Sequence, residues 1–280
     1  MISTIFFIFY YEFDLIIAVT FFSIQDVAYF ALAFTFLNFF RSLLVIIFAP
    51  YLPLLNVRLG EGKMDDVRDI VRNQLEVAIP LFIITVVILS AHMDTIVLYW
   101  VGRNYMLSAE IISILLLGVM YVGYTNVGTH YITTMQQYKQ IVIGGLLPFL
   151  SYFSIFGLLM LIRPELGILN LAYAKMSGGL VASLTCLYFL FVAKMLDLSL
   201  ILRTLLFSIF GILAIATMPS FIDLYFIQEG PSTNRLIALV VFIGLVIFIA
   251  LVLSLLIFRS SRSLLIRLIS ILPRSTVFRR

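Results

Sequence analysis

Residues 10–63 read YYEFDLIIAVTFFSIQDVAYFALAFTFLNFFRSLLVIIFAPYLPLLNVRLGEGK. Two apolar runs flank the polar break Ser23-Ile24-Gln25-Asp26. Together with the residues before Tyr10, each run reaches the roughly 20 residues that a helix needs to cross about 30 Å of hydrocarbon. The first run carries Glu12 and Asp14, and the second carries Arg41. Ionised side chains at mid-bilayer depth are costly, and their presence there points to function.

The rest of the chain is of the same kind. It is 63% hydrophobic and 11% charged, with a mean hydropathy of +1.16. A soluble domain carries about 25% charged residues. Continuous apolar runs exclude the short alternating segments of a membrane β-barrel. The sequence therefore predicts an all-α membrane protein of about eight transmembrane helices, at 2–22, 27–55, 74–91, 107–134, 140–162, 166–193, 200–222 and 235–258. Met1–Tyr10 lacks a basic start and a cleavage site, so it reads as part of the first span and not as a signal peptide. The single cysteine, Cys186, excludes an intrachain disulfide. A net charge of +4 suits an anionic leaflet; no nucleic-acid partner is expected.

Basic residues set the orientation. With the N-terminus in the cytoplasm, 13 of the 18 Lys and Arg fall in cytoplasmic segments and 3 outside (Arg103, Arg163 and Arg235), with Arg41 and Lys175 inside spans. Both termini are then cytoplasmic, in a multi-pass protein of the cell (plasma or inner) membrane.

Three segments between or beyond the spans have readable character. In 56–73, Met64, Val67, Ile70 and Val71 share a helical face that continues to Leu75, which predicts an interfacial linker helix. Asp65 with Arg68 and Asp69 with Arg72 are the ion pairs expected along it. After the third span, His92 to Tyr105 mixes Tyr99, Trp100 and Tyr105 with charges and predicts a short re-entrant or interfacial helix. The tail 259–280 has six Arg and no acid. It predicts an amphipathic helix on anionic lipids of the cytoplasmic leaflet.

Small residues mark close helix contacts: Ala174, Gly178 and Gly179 in the sixth span, with Gly144, Gly145 and Pro148 in the fifth. No enzymatic constellation is present. Gly60-Glu61-Gly62-Lys63 resembles the end of a phosphate loop, but Val57 stands where its first glycine is needed. His92 and His130 lie in different segments with no metal-ligand cluster around them, and His130 is expected to bond one helix to another. No cofactor and no catalytic residue is predicted.

The charges within spans are the candidate site. Asp14 lies about 18 Å from the cytoplasmic start of its span and Lys175 about 14 Å from the outer start of its own. The two stand within about one helical turn of the same depth. Arg41 lies near the middle of the second span. Two readings stay open. In one, Asp14 makes a fixed ion pair with Lys175 or Arg41. In the other, a hydrated cavity accepts an anionic headgroup, with Arg41 and Lys175 facing phosphate. Asp14 and Glu12 are then the counter-charge or cation site. Glu12 points about 200° around the helix from Asp14, so the two cannot face one cavity squarely.

A family resemblance accompanies these residues. Asp14-Leu-Ile-Ile, then Phe22-Ser-Ile-Gln-Asp-Val-Ala-Tyr-Phe-Ala-Leu-Ala, then Asn38-Phe-Phe-Arg-Ser-Leu, Pro53 and Leu59-Gly-Glu-Gly resemble the start of the C-terminal half of polysaccharide-biosynthesis flippases. These are O-antigen and lipid-linked oligosaccharide exporters of the MATE-like superfamily. Arg163-Pro-Glu-Leu-Gly-Ile-Leu-Asn-Leu-Ala is similar to that family's entry into its twelfth helix. Ala28 stands where the family commonly has Gly. The match covers nearly the whole chain.

The resemblance implies a six-helix lobe over 1–193, two additional transmembrane helices over 194–258 and the basic tail over 259–280. It implies export of lipid-linked oligosaccharide by alternating access around a cationic cavity. The family's first lobe has no counterpart here. The resemblance therefore implies a truncated chain, self-association or a separate protein as the second lobe. Two alternatives stand beside it: a cation-coupled small-molecule exporter with Asp14 as coupling site, and a non-transporting membrane subunit or degenerate half-transporter.

Overall fold

The computed structural model describes residues 9, 10 and 12–209. Every regular element among them is helical. α1 is Asp14–Phe21, α2 Ile24–Phe48, α3 Tyr51–Gly60, α4 Met64–Asn73, α5 Ile79–Ala91, α6 Met93–Trp100, α7 Met106–Thr134, α8 Tyr138–Ile162 and α9 Leu169–Val192. A tenth helix, α10, is Leu198–Ile209. A π-helical turn, Gln74–Ala78, joins α4 to α5.

The polar break after α1 is a helix cap. Ser23 is extended, and its Oγ accepts from the Asp26 N–H at 3.2 Å while donating to the Asp26 carboxylate at 2.7 Å. That satisfies an amide the first turn leaves open. α2 and α3 run on as one apolar stretch of 37 residues, Ile24–Gly60. At 1.5 Å per residue this is about 55 Å, longer than the hydrocarbon is thick. It ends where Gly62, at φ +71°, lets Lys63 N–H reach back to Arg58 O at 3.0 Å. Left-handed backbone at a helix end is glycine's ordinary use.

By length and composition, four helical stretches can cross a membrane: Ile24–Gly60, Arg103–Thr134, Tyr138–Ile162 and Leu169–Val192. A fifth arises if Phe82–Ala91 and Met93–Trp100, bent by 64° at His92, count as one broken span. The described residues therefore hold four or five candidate spans, and the count of eight is not established. The expected third span, 74–91, opens with the π-helical turn and closes at the bend, which leaves α5 at 13 residues. The short helix expected after it is α6, with Tyr99 and Trp100 exposed. Most of the seventh expected span, the whole eighth and the basic tail lie outside the described residues.

α7 is the central helix. It packs against α9, α2, α5 and α6. Small residues set its distance from α9. A Cβ on Gly128 would lie 2.4 Å from Cys186 Cβ, and one on Gly179 would lie 3.0 Å from Gly118 O. Ser183 Oγ donates to the Tyr121 carbonyl across the same contact. α8, with Pro148 inside it, forms an outer wall. The linker α4 buries Val67 and Val71 and leads to buried Leu75, whereas Met64 is exposed. Asp65 pairs with Arg68 at 3.5 Å as expected. Arg72 does not take Asp69; it reaches Glu76 at 2.7 Å. Glu76 is 2% exposed, and a buried carboxylate needs its partner more than a solvated one does.

The α7–α9 contact generates a prediction. Gly128→Ala is expected to cost about 1–3 kcal/mol by overpacking, read as a lowered melting temperature in detergent. Adding Cys186→Gly, which empties the space, is expected to return part of the loss.

Candidate functional site: a dry lysine clasp and a half-exposed arginine

Lys175 lies on α9, whose Gly178, one turn on, makes room for an aromatic ring. A Cβ at Gly178 would stand 2.5 Å from Tyr10 Cε2. The tyrosine hydroxyl, so admitted, donates to the Lys175 carbonyl at 3.1 Å. In return the Lys175 ammonium donates to the Tyr10 carbonyl. Its Nζ lies 2.6 Å from Asp14 Oδ2. The other carboxylate oxygen, Oδ1, accepts from the Tyr152 hydroxyl of α8 at 2.7 Å. The ammonium also stands 4.3 Å from the Tyr10 ring centroid and 5.4 Å from that of Tyr152. Ring faces attract a cation, more so when it is desolvated.

The side chains of Lys175 and Asp14 are 6% and 0% exposed. Removing each ion from water costs several kcal/mol. The short pair, the tyrosine hydroxyl and the carbonyl offset that only while all of them are in place. The arrangement fastens α1 and the residues before it to α8 and α9. It gathers two ions, a tyrosine hydroxyl and a backbone carbonyl at one point.

Arg41 is elsewhere. Its Nη1 donates to Asn38 Oδ1 at 2.9 Å, one turn back on α2. Its Nη2 is 3.8 Å from Glu12 Oε1, with the two side chains 23% and 58% exposed. That separation is beyond hydrogen-bond length, so the ion pair is loose. The four charges thus divide into two pairs, Asp14 with Lys175 inside and Glu12 with Arg41 at the surface. Asp14 opens α1, whereas Glu12 lies before its N-cap, and the two carboxylates take different partners.

Tyr10, Tyr152 and Asn38 complete the two pairs, and none was singled out from the sequence. Tyr152 follows Pro148 by four residues, one turn along the same helix face, and that spacing is the only signal pointing to it. His130 does not make the expected helix-to-helix bond through Nδ1, which is buried and has no hydrogen-bond partner. A small crevice lies between α7, α8 and α9, lined by Thr129, Ile132, Gln140, Ile141, Gly144 and Cys186. None of the four charges lines it. No group of three His, Cys, Asp or Glu that could hold a metal occurs among the described residues. Comparisons with family models, curated proteins and solved structures found no match.

The clasp makes its own prediction. Lys175→Met leaves Asp14 buried without its partner and is expected to cost about 3–5 kcal/mol. Asp14→Asn together with Lys175→Met removes both charges and is expected to recover most of that loss. A double-mutant cycle of unfolding in mixed micelles measures the difference.

Proposed function

We propose that the chain is one lobe of a flippase-like membrane transporter that exports lipid-linked oligosaccharide or polysaccharide precursors, MATE-like in fold. The observation that carries this reading is the loose Arg41–Glu12 pair. A guanidinium midway along an apolar helix, 23% exposed and 3.8 Å from its carboxylate, can exchange that carboxylate for the phosphate of a lipid-linked headgroup. Guanidinium and phosphate match in bidentate geometry. Charge within a membrane-spanning helix commonly marks a substrate path. In this mechanism the phosphate displaces Glu12, the lipid tail stays in the bilayer, and a second lobe closes the other side. The Asp14–Lys175 clasp keeps α1 in place while Arg41 changes partner.

One observation favours a second reading, a non-transporting membrane subunit. The two charges of the clasp face each other and are 6% and 0% exposed, so a ligand reaches them only if helices separate. In that reading Arg41 and Lys175 affect assembly and nothing else.

Proteoliposomes carrying a fluorescent lipid-linked pyrophosphoryl glycan distinguish the two. The chain, with its second lobe supplied, is expected to move the lipid between leaflets. Arg41→Ala is expected to slow that movement about tenfold or more, the equivalent of at least one lost charge-assisted contact, with insertion and melting unchanged. Unaltered movement in Arg41→Ala, or no movement by the native chain, favours the subunit.

A further inference from the structure

The two halves of α8 are held in different ways. From Pro148 onward the helix is fastened to its neighbours. Tyr152 and Phe156 are buried, and the Tyr152 hydroxyl donates to Asp14 at 2.7 Å. The rings of Phe153 and Phe156 meet those of Phe13, Phe21 and Phe22, with centroids between 5.9 and 6.4 Å apart. A Cβ on Gly178 of α9 would lie 3.2 Å from Pro148 O, so the two helices are in close contact there.

Ahead of Pro148 that hold is missing. Over residues 138–147 only Gly144 and Gly145 are buried, and neither has a side chain to anchor the helix. A Cβ added at Gly144 would meet no atom within 4 Å. The hollow beside it is the crevice between α7, α8 and α9, whose α8 wall is Gln140, Ile141 and Gly144. Gln140 Oε1 is buried and has no hydrogen-bond partner, while Thr129 carries a hydroxyl on the α7 wall. Protein interiors ordinarily close such gaps, and an unmet buried acceptor is costly.

The halves meet at a joint. Pro148 has no N–H to give the Gly144 carbonyl four residues back. Helices kink where that ladder is interrupted, and the two glycines add backbone freedom. The bond that bending would stretch there is one the sequence already lacks.

We propose that α8 is a jointed lid. Residues 138–147 swing about residues 144–148 toward α7 and α9 and fill the crevice, while residues 148–162 stay in place. The structure holds the open position. Closing removes the hollow at Gly144 and carries Gln140 toward Thr129; opening straightens the helix. Each position supplies what the other lacks, as a two-position hinge requires. The movement does not depend on what the chain carries, or on whether it transports anything, so it stands or fails separately from glycan movement.

Distances between paired spin labels in nanodiscs test it. In a Cys186→Ser chain, one pair is Tyr138→Cys on the first half of α8 with Leu180→Cys on α9. The other is Leu161→Cys on the second half with the same Leu180→Cys. Tyr138 and Leu161 are 71% and 83% exposed, so labels there displace no packing. The first pair is expected to show two distances and the second pair one. Gly144→Leu puts a side chain into the hollow, and Pro148→Ala restores the missing N–H. Each is expected to remove one of the two distances from the first pair. A single distance for the first pair without those substitutions overturns the proposal. So do two distances for the second pair, which would mean that the helix moves as a whole. So do two distances that persist in either Gly144→Leu or Pro148→Ala.

Discussion

The structure depends on a buried ion pair that water cannot reach. Once Lys175 and Asp14 are both within the bundle, their charges must meet, and meeting dictates much of the surrounding geometry. The ammonium needs further acceptors, which brings the Tyr10 carbonyl onto α9. Tyr10 can approach because residue 178 has no Cβ. Its neighbour Gly179 in turn lies against the Gly118 carbonyl of α7. One electrostatic requirement thus fixes the spacing of the N-terminal segment, α9 and the central helix. Replacing such a pair with apolar residues is often neutral for stability. Its presence therefore reflects which helices are to be joined more than how strongly.

The helical class was legible in composition and in the length of the apolar runs, and the capped turn at Ser23 in its polar residues. What could not be read was where a run stops being one straight helix. Residues 74–91 look like a span because the apolar residues dominate the window. Glu76 is the exception within it, and Arg72 four residues earlier compensates it. That i,i+4 reach turns an expected surface pair, Asp69 with Arg72, into a half-buried one. The break at His92 was legible, because polar and aromatic residues replace the apolar run there, but the 64° angle it makes was not.

At the site, the charged residues were visible because lipid makes them conspicuous. Asp14 with Lys175 was one of the pairings expected, and the choice between Lys175 and Arg41 was not legible. The turn at Phe13 stands between Glu12 and Asp14, the first residue of α1, and the two take different partners. The aromatic members were hidden for a different reason. Tyr10 and Tyr152 are two of 14 tyrosines in the chain, and tyrosine is common at membrane interfaces. Only their position beside a desolvated cation distinguishes them.

The two pairs also differ in what they are able to do. Lys175 and Asp14, at 6% and 0% exposure and 2.6 Å apart, cannot exchange partners unless helices separate and both charges are left desolvated. Arg41 and Glu12, 23% and 58% exposed and 3.8 Å apart, are held less tightly. A carboxylate leaving that guanidinium loses little, because the pair was never within hydrogen-bond length, and Asn38 continues to hold Nη1. The strong pair is thereby confined to architecture, and the weak one is free to recognise another anion. In a membrane helix the tightly buried pair tells which segments are joined, and the looser one marks where a change of partner costs least.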